Sequence, residues 1–197
     1  MYKKQLLIQK IVCFLVLGAS VLVFLYALGI MTDLHDAFYK ITDLAHPDSA
    51  ARNPVKGSII YYDMQGFNKT FLSLSIVLIL AAVLLFITST QVRRRYYVSN
   101  VIAVVVNVVL NIGVVVWASA QIKAFRAQFL TVDFEALREQ AERGRTTFTD
   151  STFWFDAHHV VFAVSLIACA LLVANMVWKF ILMKQEKNLL ETGKESV

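Results

Sequence analysis

Apolar residues in this chain fall into four long blocks. Ile11–Met31, Thr70–Thr90, Tyr97–Gln121 and Val160–Trp178 contain no Asp, Glu, Lys, Arg or His. A helix that crosses ~30 Å of hydrocarbon at ~1.5 Å per residue needs roughly 20 residues, and each block has that length. Hydrocarbon offers the backbone no partner, so the blocks predict helices. The runs are continuous rather than alternating, which argues against a membrane barrel. The first block follows Lys3, Lys4 and Lys10 and contains a small-x-small triplet, Ala27-Leu28-Gly29. It is longer than the ~7–15 residues of a signal-peptide core and the triplet lies inside it, so it reads as a retained helix.

Composition agrees with the blocks: 58% of the 197 residues are hydrophobic and 17% charged. A soluble domain is nearer 45–50% and 25%, so a soluble enzyme, a disordered chain and a coiled coil are all disfavoured. Two cysteines are too few for a disulfide framework.

Charge orients the blocks. The first ten residues, the link Gln91–Tyr96 and the tail Lys179–Val197 hold 10 basic and 3 acidic residues. The two long loops, Thr32–Lys69 and Ile122–His159, hold 9 basic and 11 acidic residues over about twice the length. The positive-inside rule then places both termini and Arg93-Arg94-Arg95 in the cytoplasm and both long loops outside. The net charge of +5 is accounted for by this asymmetry. It forms no stripe of the kind that binds nucleic acid.

The two halves, Ile11–Thr90 and Tyr97–Trp178, share a plan of helix, 38-residue loop and helix. In the first loop, Leu34, Phe38, Ile41 and Leu44 are at helical spacing over Thr32–Ala45. His46-Pro47-Asp48 breaks the pattern, and Ser58-Ile59-Ile60-Tyr61-Tyr62 suits a strand. In the second loop, Val132–Arg143 predicts a helix ended by Gly144, and Thr146–Phe155 is strand-like. Paired, the two strands would make one small outer sheet. A tandem duplication of a two-helix unit produces such a plan; so does any four-helix protein with two outer loops, and residue identity between the halves is slight. The expected fold is thus an all-α integral membrane protein. It is a four-helix transmembrane bundle forming a single domain over 1–197, with two structured extracytoplasmic loops.

Candidate chemistry is sparse. The intramembrane blocks lack the ionisable residues that usually mark proton-coupled transport. Their amides are Asn100, Asn107 and Asn111 in the third block and Asn175 in the fourth. Asn107 and Asn111 share a face, and an amide in lipid needs a partner. Asn107, Asn111 and Asn175 are therefore the candidate intramembrane polar contacts, serving either a polar site or bonds within the bundle. Cys13 and Cys169 lie away from the outer surface, which excludes a thiol oxidase acting there. His158 and His159 follow Asp156, and His35 and Asp36 lie at the outer end of the first helix, but successive helical residues diverge by ~100°. No metal site or cofactor is expected. Asn68-Lys69-Thr70 matches a glycosylation sequon placed against the membrane. Tyr61, Tyr62, Phe153, Trp154 and Phe155 form a denser outer aromatic group than membrane anchoring alone requires, and they are the candidate outer partner-binding face.

The plan of four helices with strand-bearing outer loops resembles claudin-type tetraspan proteins in topology. Their signature in the first outer loop, a Trp-bearing stretch followed by two cysteines, has no counterpart here, and no residue is carried over. The functional expectation is a non-enzymatic tetraspan protein of the plasma membrane, bacterial in its compact plan. It would act as an accessory or scaffold subunit that binds another membrane protein, such as a transporter. The alternative is a small self-associating transporter or channel with the Asn face at a shared interface. A third reading is a membrane enzyme using Asp156, His158 and His159.

Overall fold

A computed structural model describes residues 2–39, 55–89, 97–144 and 149–195. Their regular elements are all helices, α1 (Tyr2–Tyr39), α2 (Ile60–Ser89), α3 (Tyr97–Phe129), α4 (Phe134–Gly144) and α5 (Phe153–Glu195), with turns at 55–59 and 130–133 and an irregular segment at 149–152. Four of these helices, α1, α2, α3 and α5, are long and apolar enough to cross a membrane. This is the architecture of a multi-pass membrane protein. The helices outrun the apolar blocks. At 1.5 Å per residue, the 43 residues of α5 extend for about 65 Å, twice the hydrocarbon thickness.

The chain packs as two compact units, and each of the four long helices contributes to both. The first comprises 1–21, 77–112 and 163–197. Its core is aliphatic: Val12, Cys13, Val16 and Ala19 from α1, Ala82 and Leu85 from α2, Val104 from α3, and Ala168, Leu172 and Met176 from α5. The three-to-four-residue spacing puts one face of each helix inward. Alanine at 19, 82 and 168 lets backbones approach closely. The opposite faces carry exposed Leu80, Leu84, Ile102 and Val109, as lipid contact requires.

The second unit comprises 22–76 and 113–162, and aromatic rings hold it. Tyr26, Phe71 and Phe162 meet edge to face, with centroids 5.9–6.2 Å apart. Phe67 lies against Phe71, Trp117 and Phe125. Phe129 touches Tyr61, Phe134 and Phe155. A turn over 55–59 leads into α2. There Asp133 N–H donates to the Lys56 carbonyl at 3.1 Å, tying the turn to the α3–α4 link. Asp133 then caps α4, its carboxylate accepting from the Ala136 amide at 3.1 Å.

Among the described residues there is no strand, so the small outer sheet is corrected. Ile60-Tyr61-Tyr62 opens α2 instead. The β-branched and aromatic run that resembles a strand belongs to a longer helical stripe, with Ile60, Tyr61, Met64, Phe67 and Phe71 all buried. Likewise Phe153-Trp154-Phe155 is the first turn of α5. The expected helix over Val132–Arg143 is found as α4. Of the helix expected over 32–45, residues 32–39 prolong α1; the remainder, with His46 and Arg52-Asn53-Pro54, lies outside the described residues, as do Arg93-Arg94-Arg95 and Phe148. The tail beyond Lys184 continues α5 to Glu195.

Gly57 has φ +81°. A Cβ there would lie 3.0 Å from the Val132 Cα and 3.1 Å from the Thr131 carbonyl oxygen. A left-handed conformation costs a non-glycine residue about 1–2 kcal/mol, and the backbone opposite cannot swing aside as a side chain would. Gly57→Ala is expected to lower the thermal unfolding midpoint. Gly66→Ala, in an open helical position, should leave the midpoint unchanged or raise it slightly. Equal midpoints for the two variants would show that the turn does not hold the unit.

Candidate functional site

The buried polar side chains of the first unit fall into two groups. In one, Gln5 and Gln9 sit one helical turn apart on α1. Asn175 and Lys179 are similarly spaced on α5, and Asn100 faces them from α3. Gln5 Nε2 donates to Gln9 Oε1 at 3.1 Å and to Asn175 Oδ1 at 3.5 Å. Gln9 Nε2 donates to Asn100 Oδ1 at 3.2 Å, and Lys179 Nζ donates to the same oxygen at 2.9 Å. These residues, except Gln5, line a tightly closed cleft, without room for a water molecule, floored by Cys13, Leu85, Val104, Leu172 and Met176. Gln5, Gln9, Asn100 and Asn175 are buried and Lys179 half-buried. Two polar atoms of the group, Gln5 Oε1 and Asn100 Nδ2, have no hydrogen-bond partner.

The other group is built on α3. Asn107 Nδ2 donates to the Ala81 carbonyl of α2 at 2.9 Å and to the Ala103 carbonyl at 2.8 Å. Asn111 Nδ2 donates to the Asn107 carbonyl at 2.9 Å, and its Oδ1 accepts from Ser165 Oγ of α5 at 2.8 Å. Both asparagines are 1% exposed. Of the three amides singled out in the sequence, then, Asn107 and Asn111 act together while Asn175 belongs with Gln5. Gln5, Gln9 and Lys179 were not among the candidates. A usable signal was present: two i, i+4 polar pairs, Gln5/Gln9 and Asn175/Lys179, each at the end of an apolar block.

The five outer aromatics do not share one exposed face. Tyr61 and Phe155 are buried against Phe129, and Tyr62 and Trp154 are half-buried. Only Phe153, 62% exposed, stands out, edge-on to Trp154. The Trp154 carbonyl accepts from Tyr26 Oη at 2.7 Å, and its indole lies where a Cβ on Gly29 would be.

Asp156 is exposed; it accepts from Arg126 Nε at 2.8 Å and from Thr152 Oγ1 at 2.7 Å. His158, 2% exposed, bonds through Nδ1 to the Phe155 carbonyl, and its Nε2 has no partner. The rings of His158 and His159 lie 3.9 Å apart, tilted by 36°, so their successive positions do not hold them apart as helical spacing suggests. Among the described residues no three His, Cys, Asp or Glu side chains are grouped to hold a metal ion. The side chains of His35 and Asp36 are outside the described residues. Cys13 and Cys169 are buried free thiols. Asn68 of the sequon is buried in α2.

Chemically, the first group is a set of neutral amides around one ammonium. It can hold α1, α3 and α5 together and can donate hydrogen bonds to an anion. Interhelical side-chain bonds in membranes average about 0.6 kcal/mol and reach about 1.7 kcal/mol. A double-mutant cycle between Gln9→Leu and Asn100→Leu is therefore expected to show coupling of about 1 kcal/mol in unfolding free energy. Additivity within about 0.3 kcal/mol would mean that the 3.2 Å bond contributes nothing to helix association.

The chain matches no protein-family model, no curated protein and no solved structure.

Proposed function

We propose that this chain is a non-enzymatic four-span membrane protein that binds another membrane protein, such as a transporter, as an accessory or scaffold subunit. The observation that carries this reading is the engagement of Asn107 and Asn111. Both are 1% exposed, and their bonds end on Ala81 and Ser165 of the same chain. A transport path at a shared interface needs polar groups facing outward from the helix that lines it, and on α3 these two face inward. What the membrane-crossing helices offer their surroundings is aliphatic: Val105, Val109, Ile112 and Val116 along α3 are exposed. Helix α4, with the 55–59 turn bonded to its capping residue, adds an ordered element beyond the apolar blocks, and this suits a subunit that presents a fixed surface.

The charge asymmetry of the sequence supports both termini in the cytoplasm, and the plasma membrane is the proposed site of action. Arg126, Thr152 and Asp156 use one another as partners, which agrees with a structural role for that cluster.

Purification of the tagged full chain in mild detergent, with mass photometry and mass spectrometry of the intact particle, tests the reading. A stoichiometric larger membrane protein is expected. Repeated recovery of the monomer alone would overturn the proposal. A homo-oligomer whose solute flux is abolished in Asn107→Leu would replace it with transport.

A further inference from the structure

The cleft of the first unit contains a hydrogen-bond donor with nothing to bond. Asn100 is 1% exposed and its Nδ2 has no partner. Turning the amide over does not help. Its Oδ1 already accepts from Gln9 Nε2 and Lys179 Nζ, and the reversed amide would point an NH2 at two donors. The network thus fixes Nδ2 as the free group. An unpaired buried donor is costly, and what relieves it is an oxygen acceptor.

The surroundings restrict that acceptor. Lys179 lines the same cleft, so a negative charge is favoured and a metal cation is not. Lys179 directly follows the apolar block Val160–Trp178, which puts it at the depth of lipid headgroups. The cleft's other lining, Leu85, Val104, Leu172 and Met176, is aliphatic. Basic pockets between membrane helices bind anionic headgroups. We propose that the cleft of Asn100, Gln9, Asn175 and Lys179 binds the phosphate of an anionic phospholipid. The cleft is closed, with no room for a water molecule, and Lys179 is the most accessible of its polar lining residues, so its side chain must swing outward to admit the phosphate. The phosphate meets the ammonium first, draws it from Asn100 Oδ1 and accepts a bond from Nδ2. An acyl chain then lies on the aliphatic wall.

The full chain in neutral detergent is titrated with phosphatidylglycerol, phosphatidylcholine or inorganic phosphate. Lipid adducts are read by native mass spectrometry and stability by the unfolding midpoint. Phosphatidylglycerol is expected to remain as an adduct and to raise the midpoint by roughly 2–4 °C. Phosphatidylcholine, whose choline cation opposes Lys179, and inorganic phosphate, which has no acyl chain, should do neither. Lys179→Gln and Asn100→Asp should abolish the gain. The aspartate keeps a partner for Lys179 and Gln9, so the fold is retained while an anion is repelled. Lys184→Gln, at an exposed position, should keep the gain. An equal gain with phosphatidylcholine, or in Lys179→Gln or Asn100→Asp, would overturn the site. An equal gain with inorganic phosphate would overturn the lipid assignment in favour of a free anion. No adduct and no shift with phosphatidylglycerol would overturn both.

Discussion

Hydrocarbon supplies no hydrogen bonds, and this constraint organises the first unit. Each polar side chain on a membrane helix has two ways to meet it. Some hydroxyls turn back on their own helix: Ser20 donates to the Val16 carbonyl, Thr88 to Leu84 and Ser89 to Phe86. Such bonds satisfy the group and join nothing, whereas Ser165 donates across to Asn111. Amides have more reach and two kinds of polar atom, so they cross between helices. Asn107 reaches α2, Asn111 meets Ser165 of α5, and Gln9 meets Asn100 of α3. Between aliphatic faces that would pack equally well against lipid, these bonds supply the specificity.

The second unit solves a different problem. It includes a turn and a helix–helix link whose backbone groups need partners. It meets them with the bonds of residues 55–63 and 130–137, including the one from Asp133 to Lys56. Gly57 makes the close approach between turn and link possible, because a side chain at that φ would be strained and would meet the backbone of Val132. The aromatic rings fill the volume around this frame. Tyr26 shows the combination at one residue: its ring packs on Phe71 and Phe162 while its hydroxyl reaches the Trp154 carbonyl.

Much of the fold was legible in the sequence, because block length and charge exclusion act on every residue of a membrane span. The helix over 134–144 was legible too, since Phe134, Leu137 and Ala141 recur at helical spacing ahead of Gly144, and Leu137 indeed packs inward. The strands were not there to be read. Ile, Tyr and Phe are favoured on any half-buried surface, and a five-residue window at Ser58–Tyr62 is too short to separate period 2 from period 3.6. The window extended to Phe71 does separate them. The polar site was half legible. Asn107 and Asn111 declare themselves by their position inside a block. Gln5 and Gln9 precede the block and look like solvated residues; only the continuation of α1 back to Tyr2 turns them inward.

The two polar groups of the first unit also differ in what they leave over. The Asn107–Asn111 group lies within an apolar block and carries no charge; the one atom it leaves unpaired, Asn107 Oδ1, is an acceptor sealed among helices. The group of Gln5, Gln9, Asn100, Asn175 and Lys179 stands at the ends of the blocks, includes a cation, and leaves the donor Asn100 Nδ2 unpaired as well as the acceptor Gln5 Oε1. An acceptor enclosed in hydrocarbon can be tolerated only as the remainder of bonds that hold the bundle together. A donor beside an ammonium at headgroup depth is within reach of the phosphate of an anionic phospholipid. The same chemistry, amides on helical faces, thus serves cohesion at one level and is suited to recognition at the other, and the depth at which each amide sits decides which.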